Sequence, residues 1–124
     1  MKIILIIGTG GFLGTISRYL ATIFVQKYYL TSFPLGTFLV NVLGCFLIGV
    51  FYGLSERGSI MSAEWRMFLT VGFCGGFTTF SSFANDNMVL LRDSAFFYFI
   101  LYTGLSVMLG LSATYLGNVL TKII

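Results

Sequence analysis

The chain has 124 residues, of which 57% are hydrophobic and 9% charged, and its mean hydropathy is +0.97. A soluble domain carries roughly 25% charged residues to wet its surface, and seven Lys and Arg with four Asp and Glu, a net charge of +3, cannot cover one of this length. The composition excludes a water-soluble enzyme and, with 14 Phe, 7 Tyr and 15 Gly, describes an integral membrane protein whose helices approach one another closely.

A spanning helix needs about 20 mostly apolar residues. Four stretches qualify, at about 3–25, 34–54, 65–91 and 95–120, joined by short connections. The expected architecture is a single four-helix transmembrane domain over residues 1–124, with no soluble portion.

The first span opens IILIIGTGGFLG (3–14), which could be taken for a dinucleotide-binding strand and turn. Such a site needs an acidic residue about 20 positions further on, and the first one here is Glu56. On a helix, Gly10 and Gly14 share a face, as do Gly11 and Thr15, so the glycines read as a packing ridge. The apolar run is interrupted at Gly8, Gly10, Gly11 and Gly14 and ends in no small-x-small cleavage site, so it reads as a mature helix rather than a signal peptide. Arg18 lies in the second half of the span. It has two readings: a snorkelling arginine, or a fixed positive charge that attracts anions or anchors a neighbouring helix.

In the second span Thr37 and Asn41 are four apart and share a face. The Asn amide can clasp another helix or hydrogen-bond a passing ion. The third span reads MFLTVGFCGGFTTFSSFANDNMVLL. Its density of glycines and hydroxyls, from Gly72, Gly75 and Gly76 through Thr78, Thr79, Ser81 and Ser82, predicts a break in the helix near Gly75 to Phe80. A break at mid-membrane exposes backbone groups that can form ion sites. Phe80 and Phe83 are three apart and stack on one face, and a phenyl ring edge is electropositive enough to face an anion. In the fourth span Tyr102, Ser106, Gly110 and Thr114 recur at four-residue steps. That stripe fits the wall of an ion path or a small-residue packing seam. Cys45 and Cys74 read as reduced, buried thiols without a function.

Charge does not choose an orientation. One side holds Lys2, Arg57, Arg66 and Lys122, and the other Lys27 and Arg92, with Arg18 added if it snorkels. The positive-inside rule leaves both a fixed orientation and dual topology open. A bundle this small can barely enclose a polar path, which favours a homodimer.

GGFLGTISRY (10–19), PLGTFLVNVLG (34–44) and above all GFCGGFTTFSSF (72–83) carry a resemblance to the Fluc (CrcB) fluoride channel family over essentially the whole chain. The resemblance implies an antiparallel, dual-topology homodimer in the bacterial inner (plasma) membrane, with two fluoride pathways lined by both subunits and no nucleic-acid partner. It implies that Phe80 and Phe83 turn ring edges to fluoride, with Asn41, Ser81 and Ser82 supplying polar groups beside them. Arg18 matches an arginine near the pathway entrance; Thr37, Tyr102 and Ser106 are assigned to the same pathway. The backbone carbonyls of Gly75 and Thr78 would hold a structural sodium ion on the dimer axis. Two positions depart from the family's usual pattern: Ser82 stands where Thr is usual, and Asp86 where Glu is common, and no role is carried over for Asp86.

The function implied is passive, downhill exit of fluoride. A small multidrug-type cation/proton antiporter is the nearest rival, but it requires a carboxylate in the first span, which here has only Arg18. A non-transporting membrane assembly subunit is a third class. An enzyme fits least, because the chain has no His and no pair of carboxylates at mid-membrane.

Overall fold

A computed structural model describes residues 1–29, 32–58 and 61–124, and every regular element among them is helical. Helix α1 spans Lys2–Tyr28 and α2 spans Leu35–Ser55. The third crossing, Ala63–Arg92, is composite. It begins with α3 (Ala63–Met67), widens into a π-helical stretch Phe68–Cys74, tightens again in α4 (Gly75–Phe77), and resumes as α5 (Phe80–Arg92) after two extended residues. Helix α6 spans Phe96–Ile123. Four segments are thus long and apolar enough to cross a membrane, and their ends lie one to three residues from the expected ranges. Their outward faces carry exposed Phe, Leu and Ile along α1 and α6, as a lipid-facing surface requires.

The third helix is interrupted where its sequence is richest in glycine and hydroxyls. Thr78 (φ −90°, ψ 156°) and Thr79 (φ −152°, ψ 119°) are both extended. The break is narrower than the Gly75–Phe80 window, because Gly75–Phe77 and Phe80 remain helical. The π-helical stretch ahead of it has no counterpart in the sequence reading. Wide turns of this kind recur at functional sites.

Two glycine seams set the distances between helices. On α1, a Cβ at Gly14 would collide with the Phe73 carbonyl oxygen, and one at Gly76 would meet the Gly11 carbonyl and Thr15. The glycines that open the sequence are therefore a backbone-to-backbone contact with the first half of the third crossing. The second seam joins α2 to α6. Gly49 faces the Thr114 carbonyl, Gly117 faces the Phe46 carbonyl, and Gly110 faces Cys45. The Thr114 hydroxyl donates across this seam to the Cys45 carbonyl, 3.0 Å. The four-residue stripe of the fourth span is thus a packing seam from Gly110 onward, and its Ser106 lines a cavity.

The second half of the third crossing is held differently. Leu90 of α5, Phe38 of α2 and Tyr102 of α6 form a buried cluster, with Phe33 and Phe83 packed around it. A left-handed Ser94 (φ 58°) makes the tight turn that returns the chain into α6. At the opposite end, Arg57 donates to the Thr121 carbonyl at 2.9 Å and ties the α2 turn to the last turn of α6.

Overfilling a close backbone contact costs roughly 1–3 kcal/mol, occasionally more. Gly14→Val is expected to lower the thermal unfolding temperature in detergent, whereas Gly8→Ala, on the same helix with nothing within 4 Å of its Cβ, leaves it unchanged. Equal melting of the two variants and the parent would show that the α1 seam does not set the packing.

Candidate functional site

The break is built by one side chain. Asn41, on α2, accepts the Thr79 amide on Oδ1 at 2.8 Å and donates from Nδ2 to the Thr79 carbonyl at 3.0 Å. A primary amide is the one uncharged side-chain group that can mirror a backbone peptide in this way. Thr79 then starts the next helix: its hydroxyl accepts from the Ser82 amide at 3.1 Å, an N-cap, and lies 3.3 Å from the Ser81 hydroxyl.

These bonds redirect the donors that a continuous helix would have used. The Gly75 carbonyl would accept from the Thr79 amide, which goes to Asn41 instead. The Thr78 carbonyl would accept from the Ser82 amide, which goes to the Thr79 hydroxyl. The Gly76 carbonyl takes a bond from Arg18 Nε at 3.0 Å. Of Arg18's two readings, the structure therefore supports the anchor: it ties α1 to the last turn before the break.

Beside the break lies an open groove of about 390 Å³. Asn41, Phe80, Phe83 and Ser106 line it together with Gly75 and Thr78. The Phe80 and Phe83 rings are 5.6 Å apart and tilted by 41°. Phe80 is 78% exposed at the groove's rim, whereas Phe83 rests against Tyr102 with centroids 5.0 Å apart. Thr70, Thr79, Cys45 and Cys74 add further polar or thiol groups, and among the described residues that line it there is no charged side chain. Among the described residues no group of three or more His, Cys, Asp or Glu side chains could hold a metal ion.

The remaining candidates gather elsewhere. Tyr102 is fully buried and donates to the Asp86 carboxylate at 3.1 Å. Thr37 and Asp86 line a separate polar cavity of about 130 Å³ together with Gln26 and Ser32. Ser81 is exposed and Ser82 half-buried; both sit on the first turn of α5 and neither is among the residues that line the groove. The structure thus joins Asn41, Phe80, Phe83 and Ser106 at one place and sets Thr37 and Tyr102 around Asp86 at another.

The family model described as "CrcB-like protein, Camphor Resistance (CrcB)" matches residues 5–118. The chain belongs to this family. Similar curated proteins include one from Flavobacterium psychrophilum, 46% identical over 122 residues and 98% of each chain. One from Bacteroides fragilis is 49% identical over 123 residues, covering 97% of this chain and 96% of the relative. One from Phocaeicola vulgatus is 48% identical over 117 residues, 94% and 96% of the two chains. Each of the three bears the name fluoride-specific ion channel FluC.

Two residues of this CrcB-family chain were not singled out by the sequence. Thr79 was one hydroxyl in a run of four, and its role as hinge and cap appears only once Asn41 is seen to hold its peptide. Asp86 carried a signal that could have been used: an ionisable group within a span is costly and marks a site by default.

Removing the Asn41 amide leaves both backbone groups of Thr79 without their partners, which costs about 1–3 kcal/mol. Asn41→Ala is expected to lower the unfolding temperature in detergent, and Asn41→Asp, which can accept but not donate, to fall in between. A variant Asn41→Ala as stable as the parent would show that the break holds itself without the clamp.

Proposed function

We propose that this protein is a fluoride-selective channel through which fluoride leaves the cytoplasm passively, and that it works as an antiparallel, dual-topology homodimer with two pores lined by both subunits. The observation that carries the reading is the groove, where two phenyl rings, the Asn41 amide and the Ser106 hydroxyl meet beside a broken helix in a span otherwise built for lipid. The names borne by relatives that match almost the full length support it.

The chemistry suits a small, strongly hydrated anion. Taking such an ion into a low-dielectric path without replacing its water costs on the order of tens of kcal/mol. Phe80 and Phe83 can offer electropositive edges. Asn41 commits one N–H to Thr79 and keeps the other for an ion. None of these groups carries a full charge, so the anion is held without being trapped, as conduction requires. Arg18 supplies positive potential from beyond the groove and anchors the wall. The exposed rim at Phe80 and the open side of the groove fit a site completed by a second copy, and a four-helix chain whose two ends both carry basic charge fits an inverted partner.

A structural sodium ion fits the donor set. The carbonyls of Gly75 and Thr78 are among those whose helical donors are drawn away, and Gly75 is exposed. Carbonyl oxygens are suitable hard ligands for such an ion. They would hold it at the subunit contact, where it would stabilise the assembly without being transported.

The test is anion efflux from liposomes holding the purified protein, with a potassium ionophore clamping the charge. Fast loss of fluoride with retention of chloride is expected. If a ring edge stabilises the desolvated ion by even about 1.4 kcal/mol, its loss slows passage about tenfold, so Phe80→Ile and Phe83→Ile are each expected to slow efflux at least that much. Folded, dimeric protein that moves no fluoride would refute the channel. Replacing sodium by N-methylglucamine is expected to shift the dimer toward monomer in analytical ultracentrifugation; an unchanged equilibrium would remove the ion from the assembly.

A further inference from the structure

Tyr102 and Asp86 stand apart from the groove and yet reach it through one ring. Tyr102 is 0% exposed, and neither it nor Asp86 is among the residues that line the groove. In this arrangement neither side chain touches an ion there. Tyr102 instead spans two residues of α5, Phe83 and Asp86, that are three apart and share a helix face. Its ring packs on Phe83, with centroids 5.0 Å apart and planes tilted by 49°. Its hydroxyl donates to the Asp86 carboxylate at 3.1 Å. Phe33 meets the same ring nearly edge-on at 5.4 Å, and Phe38 lies 6.4 Å away. The phenol is thus enclosed by three rings and fixed at its far end by one hydrogen bond.

We propose that Asp86 and Tyr102 are positioning residues of the ion path: the carboxylate fixes Tyr102, and Tyr102 fixes the angle at which Phe83 faces the groove. This rests on the fluoride-channel reading and adds to it the group that aims one of its two rings. Phe83 is half-buried. On the groove wall it meets Phe80 at 5.6 Å, and from within the chain it is backed by Tyr102. A phenyl ring is electropositive at its edge and negative on its face. A change of tilt therefore exchanges a surface that attracts an anion for one that repels it. Asp86 serves as an acceptor, not as a charge. Its sign is wrong for a fluoride contact, and it faces the separate polar cavity beside Thr37. Among the described residues no Lys or Arg forms an ion pair with it.

The experiment is fluoride efflux from liposomes for Tyr102→Phe, Asp86→Ala and Asp86→Asn, each also made in a Phe83→Ile background. Tyr102→Phe keeps the ring and removes only the hydroxyl, and Asp86→Asn keeps an oxygen acceptor and removes the charge. Tyr102→Phe and Asp86→Ala are each expected to slow efflux about two- to tenfold, the size of one lost hydrogen bond. Their combination is expected to be no slower than either alone, and Asp86→Asn to stay near the parent rate. In the Phe83→Ile background none of the three is expected to add to the slowing. A further loss there would overturn the positioning of Phe83. An Asp86→Asn as slow as Asp86→Ala would overturn it in favour of the charge itself. A readout that needs no transport is the fluorine NMR resonance of para-fluorophenylalanine placed at position 83 of the purified protein. It is expected to move in Tyr102→Phe and Asp86→Ala and to hold in Asp86→Asn; a resonance unmoved in the first two would also overturn the proposal. If Asp86→Ala does not fold, Tyr102→Phe decides alone. Parent protein that passes no fluoride would instead refute the channel reading, and the fluorine resonance would still decide whether Asp86 and Tyr102 hold the ring.

Discussion

The structure depends on one amide. A helix cannot be interrupted inside a bilayer unless its freed backbone groups find other partners, because lipid offers none. Asn41 supplies both at a single residue, so Thr79 can leave the helical conformation with its donor and acceptor still satisfied. The interruption of the third span follows from those two bonds. The cap by the Thr79 hydroxyl, the release of the Gly75 and Thr78 carbonyls and the projection of Phe80 all require the chain to turn there.

The clamp would achieve little if the two halves of the span were free to drift. The first half is fixed by glycine contacts with α1, where main chain lies on main chain, and by Arg18 on the Gly76 carbonyl. The second half is fixed by a buried cluster of large side chains, Leu90 with Phe38 and Tyr102. Small residues and large ones thus serve opposite ends of one span. Helix α2 belongs to both assemblies: its glycines seat α6, and its Asn41 holds the join.

The span count, the lipid-facing character and the break were legible because each rests on local composition. Apolar runs of spanning length need no tertiary information, and a glycine cluster followed by hydroxyls cannot remain a plain lipid-facing helix. Gly10 and Gly14 were readable as a ridge because spacing alone puts them on one face. What was not legible depended on partners far away in sequence. Whether Arg18 snorkels or anchors is decided by a carbonyl 58 positions distant. The fourth-span stripe could be a pore wall or a seam until Gly49 and Gly117 were seen against their carbonyls. The π-helical stretch leaves no compositional mark. Ser82 shows why one departure from the usual pattern is harmless to the break: the cap uses only the backbone amide at that position, so the identity of the side chain is free to vary.

The interruption at Thr78 and Thr79 also has an electrostatic consequence. It places the carboxyl end of one helical segment and the amino end of another within two residues of each other. Helix ends carry partial charges of opposite sign, negative at the carboxyl end and positive at the amino end. A single break therefore creates a bipolar element at the middle of the span from neutral residues alone. One side of it favours cations and the other anions, and the break itself adds no formal charge to the span.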